Sequence, residues 1–405
     1  MSGHAINARG GHGQAGASAP RLRVVIQQPA LAKYRVPVFR ELASRPGIDL
    51  LLVFADDGKV PNVSTEDFRS VFVPLKTWRG PGPQVFWHPA QTRYATREHA
   101  DVIVLVWNTR FLSLFPALRR ARRHGVGTVL WGHGESKKDR GWATFMRRRL
   151  TRLADATLFY TRTMAKRFIA AGAEPGRTFV APNSVDQTQI AAARDAFRAD
   201  SGAMQRVRRE HRLTAGRTIL FVSRLEPKNH LHLLLEAAAA LREELVGLRV
   251  LIVGKGEDEE RLRGVSAGLG LDEVVTFFGA IYDEERLAPL FCASDVFCYP
   301  SNMGLSLLHA FGYGLPTVTG GNARLHGPEI EALRHEDNGL RFRHDDLGEL
   351  KGALRRVLTD DGLRARLAEG AARTVAGEYS IRNMVDGLEA AIRHAAERAG
   401  ARRRT

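Results

Sequence analysis

One pattern limits the possible folds of this chain more than any other. Short apolar runs alternate with longer amphipathic stretches over residues 21–185, and the alternation restarts at TILFVSR, residues 218–224. Runs such as DVIVLVW and LRVLIVG are almost entirely apolar, which is typical of strands buried on both faces of a parallel sheet. The sequence therefore predicts an α/β protein with two Rossmann-like, doubly wound parallel-sheet domains.

The two series divide the chain into four predicted segments. Residues 1–20 lack the apolar centre of a signal peptide and have the composition of a flexible leader. An N-terminal domain is expected over 21–200 and a C-terminal domain over 201–378, joined through a polar helical stretch. Residues 379–405 are expected to form a helix with a basic tail. The residue pattern leaves open whether this helix packs back on the N-terminal domain or on the C-terminal domain.

The chain carries 60 Lys and Arg residues against 44 Asp and Glu, a formal net charge of +16. Such an excess indicates anionic partners. Basic residues concentrate in RRARR, residues 119–123, and in FMRRRLTRL, residues 145–153. The second run predicts either a core-facing helix with a solvated basic face or a helix near an anionic membrane surface. Nucleic acid is not expected as a partner, because aromatic residues are not interleaved with the basic ones.

The compartment follows from two further features. No apolar run approaches the roughly 20 residues that span a bilayer, so no transmembrane helix is expected. Cys292 and Cys298 are interpreted as buried, reduced side chains. We therefore predict a cytoplasmic protein and keep open a peripheral location on the inner face of the membrane.

Ligands of open parallel sheets bind beyond the carboxyl ends of the strands, so the residues at those ends are the candidate site. Arg224 and Lys228 follow the first strand of the second series, where two cations suit a diphosphate; the alternative is a surface loop with solvated charges. Gly304, Leu305 and Ser306 begin a helix after another strand, and helix starts offer unpaired N–H groups to phosphate.

Other strand ends offer weaker candidates. His133 stands between two glycines in WGHG, and Tyr34 and Arg35 follow the first strand of the chain. The GKG turn at Gly254 lacks the third glycine of a dinucleotide fingerprint, because Glu259 takes its place. The loop GPEIEAL carries two acids that suit either sugar hydroxyls or the dipole of a helix N-terminus. These acids are Glu329 and Glu331.

Several motifs occur in order over residues 215–345. They are SRLEPKN, LRVLIVGKGE, VVTFFGAI, LFCASDVFCYPS, GLSLLHAFGYGLPTVT and GPEIEAL. Through them the second half resembles the retaining family 4 glycosyltransferases of the GT-B fold, and YRVPVF, WGHG, LFYT and VAPNSVD extend the resemblance loosely into the first half. The resemblance implies an acceptor-side N-terminal domain facing a C-terminal donor domain across a cleft. It also implies a nucleoside diphosphate sugar as donor, with no bound cofactor and no metal.

The resemblance further implies roles for individual residues. Arg224 is implied to bind the leaving diphosphate, with Lys228 or Asn229 in the place of the family's lysine. The amides at Gly304, Leu305 and Ser306 are implied to hold the distal phosphate, Ala280 and Ile281 the base, and His133 the donor sugar. The expected catalytic residues are His133, Arg224, Lys228 and Glu329. The expected substrate-binding residues are Tyr34, Arg35, Asn229, Gly254, Ile281, Gly304, Leu305, Ser306, His309 and Glu331.

The chain departs from the family pattern at two positions. Most members carry two glutamates eight positions apart, where this chain has Ser301 and His309. It is similar instead to a branch of lipopolysaccharide and exopolysaccharide enzymes with a downstream P-E-x-E-A. That similarity implies that Glu329 or Glu331 supplies the missing carboxylate, with Glu329 favoured by position, and that His309 reaches the ribose.

The resulting prediction is a retaining, metal-independent glycosyltransferase of the hexosyl type. It would act on a glycan or a lipid-linked oligosaccharide in cell-surface polysaccharide biosynthesis. Negative charge on the departing diphosphate would be stabilised by fixed cations, and no side-chain nucleophile is required. The alternatives are a non-catalytic sugar-nucleotide-binding or scaffold protein of the same fold, a GT-B sugar-nucleotide epimerase, and a basic nucleic-acid-binding protein. The sugar, the nucleoside, the acceptor and the oligomeric state are not specified by the sequence.

Overall fold

The structure is a computed structural model, and it describes residues 21–404 except 59, 80–83 and 136–140, with the side chains of 141–144 also outside the description. The predicted flexible leader, residues 1–20, lies outside the described residues.

Two parallel sheets form the framework, which confirms the predicted fold class. The first has seven strands in the order β3-β2-β1-β6-β7-β8-β9, and the second has six in the order β12-β11-β10-β13-β14-β15. The strands β4 and β5 form a separate antiparallel hairpin. The strands are β1 (Leu22–Gln28), β2 (Ile48–Phe54), β3 (Arg69–Phe72), β4 (Lys76–Trp78), β5 (Val85–Trp87), β6 (Val102–Val106), β7 (Gly127–Gly132), β8 (Ala156–Phe159), β9 (Thr178–Val180), β10 (Thr218–Val222), β11 (Arg249–Val253), β12 (Val275–Gly279), β13 (Val296–Cys298), β14 (Thr317–Gly320) and β15 (Gly339–Phe342).

Helices connect most consecutive strands, as parallel pairing requires. The helices are α1 (Val36–Ser44), α2 (Pro89–Arg93), α3 (Leu114–Arg123), α4 (Gly141–Leu153), α5 (Arg162–Ala170), α6 (Gln187–Ala199), α7 (Ala203–Glu210), α8 (Leu231–Leu241), α9 (Glu259–Gly268), α10 (Glu284–Ala293), α11 (Ser306–Gly312), α12 (Leu347–Thr359), α13 (Asp361–Gly377) and α14 (Ile381–Arg404). Short 3-10 helices occur at Lys33–Arg35, Pro175–Arg177, Pro227–Asn229, Ala323–Leu325 and Pro328–Ala332.

The C-terminal helix α14 packs on the first sheet, which resolves the alternative that the sequence left open. Met384, Leu388 and Ile392 belong to the apolar core under that sheet. Gly127 allows the close approach, because a Cβ there would lie 2.5 Å from the carbonyl oxygen of Ala395. This helix therefore returns the end of the chain to the domain in which the chain began.

Helix α6 packs on the second domain, although it lies within the segment 21–200 that we assigned to the N-terminal domain. Ile190 is part of the second core. Gln187 donates to the carbonyl of Leu308 at 3.2 Å, and Arg194 donates to the carbonyl of Gly312 at 2.9 Å. The chain thus crosses between the domains before α6 begins, and the apolar stripe of α6 covers helices of the second domain.

The two cysteines lie in the second domain. Cys298 is fully buried and Cys292 is half-buried, and both are free. Burial raises the pKa of the Cys292 thiol to about 11. Across the described ranges, no helix is long and apolar enough to cross a membrane.

Candidate functional site

The loops that follow the strands of the two sheets meet at the domain junction. Thr163 is the second residue of α5, just after β8, and its amide donates to the Glu331 carboxylate of the second domain at 2.6 Å. Asn183 follows β9 and donates to the carboxylate of Glu329. The carboxyl ends of both sheets therefore face one another, which is where ligands of such folds bind.

The loop after β10, residues 224–229, presents two cations and is named the cation loop. Arg224 and Lys228 are both exposed, and Lys228 forms an ion pair with Glu226 at 3.0 Å. An ion pair at the surface is weak, because water screens it and two long side chains must be ordered. The Lys228 ammonium can therefore exchange Glu226 for a phosphate at little energetic cost.

Asn229 connects the loop after β10 to the turn after β13. Its side chain is buried, and its amide nitrogen donates to the carbonyl of Arg224 at 2.5 Å. Its backbone carbonyl accepts from Ser301 at 3.1 Å, and its side-chain oxygen accepts from Asn302 at 3.2 Å. Asn229 thus ties the cation loop to the turn after β13, while Arg224 and Lys228 remain exposed.

Gly254 packs closely against the loop after β10. It adopts φ +149°, and a Cβ would lie 1.8 Å from the carbonyl oxygen of Ser223. Gly256 is similar, since a Cβ there would lie 2.0 Å from the carbonyl oxygen of Leu225. The GKG turn therefore lets the loop after β11 run directly against the cation loop.

The turn at residues 301–306 carries the predicted phosphate-binding amides. Helix α11 has seven residues, and its first intrahelical bonds run from Leu307 to Gly304 at 3.1 Å and from His309 to Leu305 at 3.1 Å. The amides of Gly304, Leu305 and Ser306 precede these bonds and lie at the positive end of the helix dipole. Through Asn229, this turn and the cation loop form one surface.

The loop after β14 also forms hydrogen bonds with the turn at residues 301–306. The amide of Gly327 donates to the carbonyl of Met303 at 2.7 Å, and the amide of Met303 donates to Nδ1 of His326 at 3.2 Å. The same loop places Glu329 next to the turn, because a Cβ on Gly304 would lie 3.8 Å from Glu329 Oε2. The Glu329 carboxylate therefore lies next to the turn that carries the candidate phosphate-binding amides.

The Glu329 carboxylate is buried and belongs to a cluster that crosses the domain junction. The junction cluster consists of Arg35, Tyr160, Asn183 and Glu329. Arg35 donates to the hydroxyl of Tyr160 at 3.0 Å, and its guanidinium stacks over the ring of Trp131 at 5.0 Å. Burial lowers the pKa of Arg35, but Tyr160, Tyr34 and the Glu329 carboxylate raise it and prevail. The Arg35 guanidinium therefore stays charged in the junction cluster, near the Glu329 carboxylate.

Arg35 and its neighbour Tyr34 differ in exposure. Only 6% of Arg35 is exposed, and its guanidinium lies among aromatic rings. Arg35 therefore forms part of the wall of the site, whereas its neighbour Tyr34 is 39% exposed and can contact a ligand. Both residues lie in or beside the short 3-10 helix that precedes α1.

His133 joins this wall through aromatic contact. Its ring lies 4.8 Å from the ring of Tyr160, and the residue is exposed. The flanking glycines have packing reasons, since a Cβ on Gly132 would lie 3.0 Å from Trp107 and one on Gly134 would lie 2.8 Å from Met164. The structure therefore brings His133 beside the junction cluster.

The Glu331 carboxylate binds the N-terminus of α5. Its carboxylate accepts from the amide of Arg162 at 2.8 Å, and from both the amide and the hydroxyl of Thr163. These are the first two amides of α5, and Thr161 accepts from the third at 3.2 Å. Glu331 therefore caps a first-domain helix and forms a contact across the domain junction.

Glu284 is a functional candidate that the sequence did not reveal. It begins α10, and its carboxylate accepts from His309 Nε2 at 2.8 Å and from the hydroxyl of Tyr313 at 2.5 Å. Burial opposes ionisation, but the His309 and Tyr313 hydrogen bonds, together with the charge of Lys33, hold the pKa of Glu284 below its usual range. The only signal in the sequence was a histidine at a position where a carboxylate was expected.

The loop between β12 and α10 lies beside Glu284. Ile281 is half-buried and packs against the second core, and its neighbour Tyr282 is 88% exposed. An apolar side chain and an exposed ring suit a flat heterocycle. Through His309, Glu284 is tied to α11, the helix whose first amides lie at the turn at residues 301–306.

Comparison with known families agrees with this geometry. Residues 204–374 match the family model described as Glycosyl transferases group 1, and residues 38–189 match the one described as Glycosyltransferase Family 4. A similar protein is the GDP-mannose-dependent alpha-(1-6)-phosphatidylinositol monomannoside mannosyltransferase of Mycobacterium tuberculosis. It is 28% identical over 296 residues, which are 69% of this chain and 72% of the relative.

Two more proteins extend the comparison. The lipopolysaccharide core biosynthesis glycosyltransferase LpsE of Rhizobium meliloti is 30% identical over 174 residues, 42% of this chain and 47% of the relative. The crystal structure of HepE from Anabaena in complex with UDP has a TM-score of 0.65 at 16% identity, and the alignment covers 91% of this chain and 98% of that one. At this identity the structural likeness concerns the fold.

Proposed function

Since this chain belongs to the group 1 and family 4 glycosyltransferases, we propose that it moves a sugar from a nucleoside diphosphate sugar to a hydroxyl group of a glycolipid or glycan. The observation that carries the proposal is the joining of the cation loop to the turn at Gly304–Ser306 through buried Asn229. A diphosphate spans such a surface, with one phosphate on the cations and the other on the helix amides.

The reaction would use this surface to stabilise the leaving group. The anomeric C–O bond breaks, and its electron pair goes to the diphosphate, where Arg224 and Lys228 balance the new charge. The acceptor hydroxyl forms its bond on the same face and passes its proton to the departing phosphate, so that the configuration is retained. The buried Glu329 carboxylate and His133 would orient the sugar.

The nucleoside would lie at the other end of the face. Glu284 is held ionised by His309 and Tyr313, and a fixed carboxylate suits the vicinal hydroxyls of a ribose. His309 then orients the Glu284 carboxylate. Glu284 contacts the ribose in place of His309, which the sequence suggested for that role. Ile281 and Tyr282 would hold the base. The transfer itself needs no metal under this scheme.

The acceptor side is proposed from the basic surface of the first domain. Phe115 and Phe145 are 45% and 54% exposed, on helices α3 and α4. Arg119 lies over the ring of Phe115 at 5.5 Å, and Arg149 lies over that of Phe145 at 5.8 Å. Exposed aromatic residues beside arginines suit the anionic face of a membrane. A lipid-linked acceptor at the inner face of the membrane fits this surface, and two similar proteins carry names from glycolipid and lipopolysaccharide biosynthesis.

The test is transfer by the purified full-length chain. GDP-mannose, UDP-glucose and other nucleotide sugars would each be incubated with a membrane lipid extract, and the anomeric configuration of the product would be read by NMR. We expect one donor class to give a product with retained configuration. Inverted product, or binding of nucleotide sugars with neither transfer nor hydrolysis for any donor, would overturn the proposal.

A further inference from the structure

Three side chains with metal-binding atoms meet on the second domain, next to the cation loop. His230 follows the 3-10 helix Pro227–Asn229, and His344 and Asp345 follow β15. Nδ1 of His230 lies 2.8 Å from Asp345 Oδ1, and Nε2 of His344 lies 3.3 Å from Asp345 Oδ2. One carboxylate therefore faces both imidazoles, with a different oxygen toward each.

The backbone at this cluster is strained at two of the three residues. His230 has φ +52° and Asp345 has φ +61°, both in the left-handed region that residues other than glycine seldom adopt. Such conformations persist where the surrounding structure enforces them, and they concentrate at functional sites. Here the strain turns both side chains toward each other across two loops that are 115 residues apart in the chain.

The third side chain is positioned by a glycine. A Cβ on Gly320 would lie 3.0 Å from Nδ1 of His344 and 2.8 Å from the carbonyl oxygen of Pro300. Because Gly320, at the end of β14, has no side chain, the imidazole of His344 has room beside it. About 19% of the His344 side chain is exposed, against 30% for His230 and 55% for Asp345, so that the cluster opens to solvent on the Asp345 side.

We propose that His230, His344 and Asp345 form a site for a divalent transition-metal ion such as Zn²⁺. One ligand atom from each of the three residues lies within 4.8 Å of the others. Bonds of about 2.0–2.2 Å at tetrahedral angles place ligand atoms about 3.4 Å apart. Side-chain rotations that move the ligand atoms by about an ångström therefore complete the site. Two imidazoles and one carboxylate are a donor set that Zn²⁺ accepts, and a water molecule fills the fourth position on the open side.

The site goes beyond the proposed transfer reaction and does not rest on it. An ion there clamps the loop that carries Lys228 to the loop after β15. The ion affects the proposed diphosphate surface, which consists of the cation loop and the turn at residues 301–306. It does so through the backbone of the cation loop, since His230 is two residues from Lys228. The alternative is that the three side chains only hydrogen-bond the two loops to each other. A metal-binding experiment distinguishes this alternative from a metal site.

The experiment is metal binding by the full-length chain, freed of metal with a chelator. Co²⁺ serves as the spectroscopic probe, because its visible d–d absorption reports four-coordinate nitrogen and oxygen ligands, and Zn²⁺ is then titrated in competition. We expect about one ion per chain. His230→Gln, His344→Ala and Asp345→Asn should each weaken Co²⁺ binding by about tenfold or more. Thermal unfolding of each metal-free variant shows that it is folded.

Two controls make the result specific. His99→Ala removes a partly exposed histidine from the first domain, where the ring bonds Thr96 at 2.9 Å, and it should leave Co²⁺ binding unchanged. The double variant His4→Ala/His12→Ala removes both histidines of residues 1–20, and it should also bind normally. Loss of binding in this double variant, retention in all three ligand variants, or no saturable Co²⁺ binding by the wild type would overturn the proposal.

Discussion

The carboxylate of Glu331, in the second domain, caps a helix of the first domain at Thr163, whose amide lies 2.6 Å from Glu331 Oε1. The residue two positions earlier, Glu329, points the other way, into the junction cluster beside Gly304. One short 3-10 helix, Pro328–Ala332, therefore supplies a structural acid and a candidate functional acid. Because the two acids differ in environment, they should also differ in their response to substitution.

Replacing Glu331 by Gln should destabilise the domain junction without removing the chemistry. The carboxylate accepts from two amides at the positive end of α5, and loss of such a cap costs about 1 kcal/mol. We expect a free energy of unfolding lower by roughly that amount, as measured by urea denaturation. Glu336→Gln is the matched control, because it removes an exposed ion pair with Arg356 and should change stability by less than about 0.5 kcal/mol.

Glu329→Gln should instead lower turnover while the fold is kept. Asn183 can still donate to the amide oxygen that replaces the carboxylate, so the hydrogen bond across the junction survives. The negative charge next to Gly304 and Arg35 is lost, and we expect kcat to fall by about tenfold or more. Steady-state kinetics with the donor found in the transfer assay measures this. Unchanged kcat in Glu329→Gln would place the required carboxylate elsewhere.

Arg224→Ala should remove transfer and leave stability unchanged. Its side chain is exposed, and fixed donors that stabilise developing negative charge typically contribute about 10²–10³-fold to kcat. Lys228→Ala should have a smaller effect in the same direction, since Lys228 is already partly neutralised by Glu226. Transfer rates and thermal unfolding are measured on the same preparations. Near-normal turnover in Arg224→Ala would argue against the diphosphate surface.

Asn229→Ala should show the reverse pattern, with stability affected first. The buried amide donates to the carbonyl of Arg224, and its removal leaves buried polar groups without a partner, at about 1–3 kcal/mol. We expect a lower unfolding temperature, with a raised KM for the donor because the cation loop loses its connection to the turn. A variant with wild-type stability and lost activity would mean that Asn229 contacts the donor directly.

Glu284 should make the stability of the wild type depend on acid pH. Its pKa lies below the ordinary value of 4.5, against the effect of burial, because His309 and Tyr313 hydrogen-bond the carboxylate. A depressed folded-state pKa contributes stability that is present above 4.5 and is lost as the pH falls through the folded value. The difference in unfolding free energy between wild type and Glu284→Gln should therefore be constant at neutral pH and shrink below about pH 4.5. A difference that does not change with pH would contradict this role.

Local patterns were sufficient for some of the site. Arg224 and Lys228 were predicted from their place after a buried strand, because the carboxyl ends of parallel strands always lie at one edge of a sheet. The glycine at 304 and the helix after it were predicted for the same reason. By contrast, Glu284 looked like one more acid at a helix start, since the neighbouring residues Asp283 and Glu285 are acidic too.

The sequence by itself therefore determined the two parallel sheets and the strand ends that carry cations, because hydrophobic periodicity and loop position are local properties of the chain. Only the tertiary structure decided which residues Glu329 and Glu331 contact. Glu329 meets a residue 146 positions away, and Glu331 meets one 168 positions away. Neighbouring residues of a tight 3-10 turn point in different directions, so their partners depend on how the two domains dock. The packing of α14 on the first sheet was decided in the same way, by a glycine in β7 that admits its backbone.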